Sequence, residues 1–209
     1  YKNHEHVDLH TVAHPEYKNL LALLNKQIPQ LEFDKFARTV FSIGMLHKRE
    51  VGKLTNPLYR NTLRTCLLAM DKHMTKYLQL IDNPPADRDE QQYPVSVMMY
   101  NYGIAIEGMI KVGSINNTTP LVLIDKMMRV VENGATYITE GCTVNRMLAF
   151  LVQVTRQFDL AVCDKTMPII NTVLQRVIHD GIVQRMTRPD VEDFLINLIA
   201  VQTLKPADK

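Results

Sequence analysis

The sequence is poor in cysteine, in long apolar runs and in charge of one sign. Its three cysteines, Cys66, Cys142 and Cys163, lie far apart among apolar neighbours, which favours buried free thiols in a reducing compartment over a disulfide framework. No apolar run approaches the roughly 18 residues that a membrane-spanning helix needs, so we expect no membrane partner. Because 24 Lys and Arg stand against 22 Asp and Glu, any nucleic-acid site has to be a local patch.

The sequence also lacks the short motifs that mark common catalytic and nucleotide-binding sites. It has no G-x-S-x-G, no P-loop, no G-x-G-x-x-G and no H-E-x-x-H. An N-terminal run of histidines is the best candidate for a metal site, because a helix there would align them on one face. However, Pro15 disfavours helical backbone at the residue before it, and no nearby cysteine completes a tetrahedral set of ligands. We therefore interpret residues 1–13 as a solvated arm, interpret helical acids such as Glu107 as solvated charges, and expect no metal, no cofactor and no enzymatic activity. The histidines are His4, His6, His10 and His14.

Helical periodicity dominates the chain. Apolar residues recur at spacings of three and four in eight successive stretches, and no alternating stretch is long enough to predict a strand. Prolines mark several of the predicted helix starts, and Thr143 is interpreted as the cap of the sixth helix. The apolar stripes or their opening prolines begin at Pro15, Phe33, Pro57, Val95, Pro120, Val144, Pro168 and Val191.

A polar, proline-rich stretch at 82–94 separates the third and fourth stripes. It carries four acids, one base and three prolines, so it cannot bury itself. We predict a loop there that stays outside the packed core. The chain as a whole, residues 1–209, is predicted to be a single helical-repeat domain.

The helix starts form two interleaved series that indicate repeated pairs of helices. First helices begin at intervals of 42, 63 and 48 residues, and second helices at intervals of 62, 49 and 47. Without the predicted loop the unit is about 42 to 50 residues, which is near the range of HEAT and armadillo repeats. We predict an all-α fold, a right-handed α-solenoid of about four helical-hairpin repeats in which neighbouring pairs share a core. An eight-helix bundle is the alternative.

A basic cluster lies in residues 47–76, where seven Lys and Arg stand against two acids. Arg60 and Arg64 are four residues apart and share one helical face, and Tyr59 is predicted to offer a ring on which an unpaired base stacks. A solvated basic surface or an inter-chain salt-bridge site is the alternative. The candidate RNA-binding residues are Lys48, Arg49, Lys53, Tyr59, Arg60 and Arg64.

The repeated pairs resemble armadillo- and HEAT-type helical repeats across most of the chain. Residues 36–46, which read FARTVFSIGML, further resemble the helical repeats of organellar RNA-processing factors, including those of kinetoplastid mitochondrial RNA-editing assemblies. The resemblance implies a non-catalytic scaffold of a ribonucleoprotein complex in the mitochondrial matrix, bound to other protein subunits and to RNA. The alternatives are a cytoplasmic location and a purely protein-binding adaptor, with a concave face that grips another subunit.

Overall fold

All regular secondary structure in the described residues is helical. The structure, a computed structural model, describes residues 15–48, 57–82, 88–158 and 160–204. These ranges contain no strand, which confirms the predicted all-α class, and two short 3₁₀ turns lie at Ile28–Gln30 and Ala135–Tyr137. The α-helices in these ranges are α1 (Pro15–Gln27), α2 (Phe33–Lys48), α3 (Pro57–Asp82), α4 (Arg88–Lys111), α5 (Leu121–Gly134), α6 (Gly141–Gln157), α7 (Leu160–His179), α8 (Ile182–Arg185) and α9 (Arg188–Gln202).

Predicted helix starts are confirmed where the local signals are strong. α1 and α3 begin at Pro15 and Pro57, because the fixed φ and missing N–H of proline suit a first turn. α9 begins at Arg188, three residues before the predicted stripe at Val191, and a capping box precedes it. In that box the Thr187 hydroxyl accepts from the Asp190 backbone N–H, and the Asp190 carboxylate accepts from the Thr187 backbone N–H.

Two other predicted starts are wrong. α7 begins at Leu160, so Pro168 lies inside it. Pro168 and Asp164 are both exposed, so water can reach the carbonyl that proline leaves without an N–H partner. α6 begins at Gly141, so Thr143 lies buried in its first turn and does not cap it.

The predicted loop at 82–94 is wrong in its second half. α4 already begins at Arg88 and carries Pro94 within it. Residues 83–87 lie outside the described residues, as does the predicted N-terminal arm at 1–13.

The helices pack in two rows. In the first row α1, α3, α5 and α7 contact one another in chain order, and in the second row α2, α4, α6 and α9 do the same. From α3 onward, each long helix therefore packs on a helix of the preceding pair. Starts lie 42, 64 and 39 residues apart in the first row and 55, 53 and 47 in the second, so the spacing is less regular than predicted.

One continuous hydrophobic core runs between the rows, from Leu21 in α1 to Phe194 in α9. Tyr102 of α4 is fully buried in it, and its hydroxyl donates to the Met127 carbonyl of α5 at 2.8 Å. Burying this ring therefore leaves no unsatisfied polar atom, and the bond ties the two rows together.

α2 and α4 lie very close together at two glycines. A Cβ on Gly108 would lie 2.6 Å from the backbone N of Phe41, and one on Gly44 would lie 2.7 Å from the Gly108 carbonyl oxygen. Cβ atoms essentially never come so close to other heavy atoms, so both positions require glycine. Gly44 of the stretch 36–46 thus has a direct packing role.

We predict that Gly108→Ala destabilises the protein, although alanine is the better helix former by about 1 kcal/mol. The added methyl group meets the backbone of α2, so the two helices must separate. We expect a loss of about 1–3 kcal/mol in the free energy of unfolding, measured by urea titration. Ser42→Ala, at an exposed position of α2, is the control and should change stability by less than about 0.5 kcal/mol. A Gly108→Ala variant as stable as the wild type would contradict this contact.

An aromatic cluster joins α2 to α3. The Phe33 and Phe36 rings stack with centroids 6.1 Å apart, and the His73 ring packs against both, with centroid distances of 5.0 and 5.1 Å. Tyr77 contacts Phe33 edge-on at 4.8 Å. Partial burial lowers the pKa of His73, and the adjacent lysines lower it further. The cluster therefore favours the neutral imidazole.

This cluster predicts a loss of stability in mild acid. Because the folded state binds the His73 proton less tightly than the unfolded chain does, the free energy of unfolding falls as pH drops below about 6.5, the usual imidazole pKa. His73→Gln should lack this component in melts between about pH 7.5 and 5.5. His179→Gln, at an exposed position in α7, is the control for the loss of an imidazole elsewhere in the chain. An unchanged pH dependence in His73→Gln would show that His73 is not its source.

Candidate functional site

The structure describes the side chains of only part of the predicted RNA-binding set. Lys48 is the last residue of α2, and its side chain lies outside the described part of the chain. Arg49 and Lys53 lie outside the described residues altogether. Arg60 and Arg64 are exposed on α3, in the first row of helices. Of the five basic residues in the set, only these two arginines have described side chains.

The predicted stacking role of Tyr59 is wrong. Its side chain is only 5% exposed and belongs to the continuous core, so its ring is not open to a base. Consecutive helical residues point about 100° apart, so Arg60 faces solvent while Tyr59 faces the core. Adjacency in the sequence does not place the two side chains on one surface.

A polar groove opens along three helices of the second row, α4, α6 and α9. Its volume is about 440 Å³, within the range of ligand sites. Each helix contributes residues spaced three and four apart, which lie on one helical face. The lining residues are Glu107, Ile110, Lys111, Cys142, Asn145, Arg146, Ala149, Asp190, Asp193, Ile196 and Asn197.

Glu107 joins two helices of this polar groove. Its carboxylate accepts from Nε of Arg146 in α6 at 2.7 Å and from Nζ of Lys111 in α4. Burial opposes the ionisation of Glu107, but these two hydrogen bonds outweigh burial and lower its pKa. Burial likewise opposes the charge of Arg146, yet the pairing with Glu107 raises its pKa. The interpretation of Glu107 as a solvated charge is therefore wrong.

Both bases of this ion-pair cluster are held by their neighbours. Lys111 places its Nζ 4.6 Å from the centroid of the Phe41 ring. Arg146 crosses α4 at Gly103, where a Cβ would lie 3.0 Å from the arginine Cδ. Its guanidinium carbon lies 5.7 Å from the centroid of the Tyr100 ring. The two cations of the polar groove are thus held in place by contacts within the chain.

Two asparagines tie α6 to α9 beside this cluster. Asn145 donates to the Asp190 carbonyl at 2.8 Å, and Asn197 donates to the Asn145 carbonyl at 3.2 Å. Two further buried atoms, Oδ1 of Asn145 and Nη1 of Arg146, have no partner within the described ranges. A buried group without a hydrogen bond costs about 1–3 kcal/mol, and both atoms belong to residues that line the polar groove.

The cysteines are less uniform than predicted. Cys66 is a buried free thiol whose pKa burial raises to about 12, as expected for an inert core residue. Cys142 is also free, but it is only partly buried and lines the polar groove. Desolvation raises its pKa as well. The side chain of Cys163 lies outside the described part of the chain.

Neither a metal site nor a known relative identifies the chain. Within the described ranges no group of three or more His, Cys, Asp or Glu side chains could hold a metal ion, and no helix is long and apolar enough to cross a membrane. Comparison with known protein families, characterised proteins and solved structures finds no match. The polar groove is a larger group of polar side chains on one surface than the arginine pair of α3.

The residues of the polar groove were not predicted as a site, because each of its helical faces reads as the polar side of an amphipathic helix. One weak signal is present in the sequence. Asparagine is an unfavourable residue inside a helix, and Asn145 and Asn197 both lie inside helices. Their side chains bond to the backbone of a neighbouring helix, a contact that no local pattern reveals.

We predict that Glu107→Gln lowers the free energy of unfolding by about 1–2 kcal/mol, because two partly buried cations lose their counter-charge. Asp125→Asn is the matched control. It breaks the Asp125–Lys165 pair between α5 and α7, whose atoms are 3.3 Å apart and whose side chains are 46% and 61% exposed. That change should cost less than about 0.5 kcal/mol in the same urea titration. Equal losses in the two variants would contradict a structural role for Glu107.

Proposed function

We propose that this chain is a non-catalytic helical-repeat scaffold whose polar groove binds an extended segment of a protein partner. The two rows of helices support a HEAT- or armadillo-like α-solenoid, because the helices of each row stack on one another in chain order. One observation carries the binding proposal. The polar groove crosses three successive helices of one row and includes a buried acceptor on Asn145 and a buried donor on Arg146, neither with a partner in the described residues.

An extended peptide matches this arrangement because its backbone offers carbonyl and N–H groups alternately. Packed helices lie about 8–10 Å apart, so a segment that crosses α4, α6 and α9 spans about 16–20 Å. About five or six residues at about 3.3 Å each cover that distance. Ile110, Ala149 and Ile196 supply apolar surface for the ligand's side chains.

The charges of the polar groove favour a protein ligand over RNA. Three carboxylates and two bases line it, and Glu107 already pairs with both bases. A phosphate backbone would therefore find no unpaired base and would meet the carboxylates of Asp190 and Asp193. This balance supports the purely protein-binding adaptor, which we favour.

RNA binding through α3 is a separate proposal. The exposure of Arg60 and Arg64 supports it, because two arginines one turn apart suit phosphate oxygens. Membership of a mitochondrial RNA-processing complex and a location in the matrix rest on the resemblance of the repeats and stay predictions.

Peptide selection tests the binding proposal. Peptides of about twelve residues from a random displayed library are selected on the wild-type chain, and their affinities are then measured by fluorescence anisotropy. Ala149→Tyr puts a bulky ring into the polar groove and should weaken the selected peptides at least about 10-fold. The double variant Arg60→Gln/Arg64→Gln, on the other row, is the control and should bind them unchanged. Peptides that bind Ala149→Tyr as tightly as the wild type would contradict the proposed site.

The same variants test the RNA proposal with a single-stranded RNA in a salt titration. If α3 supplies phosphate contacts, Arg60→Gln/Arg64→Gln should reduce the slope of log affinity against log salt by about two. Ala149→Tyr should leave that slope unchanged. An RNA affinity that is the same in the folded double variant would remove both arginines from the site.

A further inference from the structure

We infer that the α6–α9 side of the polar groove is a subsite for a basic side chain, a lysine or arginine of the bound segment, and that Asp193 selects it. The inference rests on the proposed peptide-binding function and specifies the chemistry of the partner. Asp193 lies on the second turn of α9 and forms no other interaction with a described residue.

Acceptors without matching donors lie at this side of the groove. Asn145 is 6% exposed, lines the groove and has no partner for its Oδ1 within the described ranges. Asp193 is exposed, lines the same groove and forms no ion pair with any described residue. A buried acceptor and a carboxylate in one groove favour a ligand that donates hydrogen bonds and carries positive charge.

The other two carboxylates of the polar groove already have partners. Glu107 is shared by the bases of α4 and α6. Asp190 accepts from the Thr187 backbone N–H at 3.2 Å and from the Thr187 hydroxyl at 2.6 Å, and its charge complements the start of α9. Asp193 is therefore the carboxylate that remains for a ligand.

A lysine or arginine side chain fits this set of acceptors better than a neutral group does. An ammonium has three donors and a guanidinium has five, and neither accepts, so one head group has enough donors for both a carboxylate and an amide oxygen. Asp193 and Ile196 are neighbours on one face of α9. The apolar stem of the basic side chain can therefore lie along Ile196, which is 63% exposed, while its head reaches Asp193.

Selections on two forms of the chain test this subsite. The random library is selected in parallel on the wild type and on Asp193→Lys. We expect a lysine or arginine at one fixed position in the wild-type peptides, and an aspartate or glutamate there in the Asp193→Lys peptides. Asp164→Lys, an exposed acid of α7 in the other row, is the control and should yield the wild-type pattern.

Affinities of synthetic peptides then measure the coupling. Replacing the fixed base by alanine should weaken binding to the wild type about 10-fold and should change binding to Asp193→Asn much less, as expected for a desolvated charge pair. Glutamate at that position should restore binding to Asp193→Lys.

Two failures are distinguishable. Selected peptides without a fixed base, or an equal effect of the alanine replacement on the wild type and on Asp193→Asn, would overturn the basic subsite and leave the peptide groove in place. A library that yields no peptide weakened by Ala149→Tyr would overturn the proposed function and the subsite together.

Discussion

The contact between the backbones of α2 and α4 at Gly44 and Gly108 sets the geometry on which the polar groove depends. Because no side chain separates the helices there, Lys111 of α4 lies against α2, over the Phe41 ring. The Lys111 ammonium also pairs with Glu107, one turn earlier in the same helix. The close packing of α2 and α4 therefore determines where the Lys111 ammonium lies in the groove.

Further side-chain contacts link the remaining helices of the second row. Glu107 holds Arg146 of α6, and the side-chain amides of Asn145 and Asn197 join α6 to α9. The first row is also bridged by ion pairs, but these are more exposed, as in the Asp125–Lys165 pair. Exposed ion pairs add little to stability, so the polar contacts of the first row stabilise the fold less than those of the second row. The second row carries half-buried polar links, and two residues that form them, Asn145 and Arg146, keep a buried polar atom without a partner in the described residues.

The distribution of charge bears on the choice between partners. A chain with nearly balanced charge binds nucleic acid only through a local patch of bases. Of the predicted RNA-binding bases, only Arg60 and Arg64 have described side chains. The polar groove carries both signs of charge, and its bases are paired internally. Mixed charge with unsatisfied amide and guanidinium atoms suits a peptide backbone better than a phosphate chain. The groove and the arginines of α3 lie on different rows of helices, so the two proposals can be tested independently.

The sequence by itself determined the all-α class and the helix starts that local chemistry specifies, because apolar periodicity, Pro57 at a first turn and the Thr187 capping box act within a few residues of the chain. Tertiary structure decided the rest. Pro168 reads locally as a start, yet burial of Val162 and Thr166 carries α7 through it. The burial of Tyr59 and the pairing of Glu107 depend on which helical faces meet. These helix contacts bring together residues that are far apart in the chain, so only the packed structure reveals the groove.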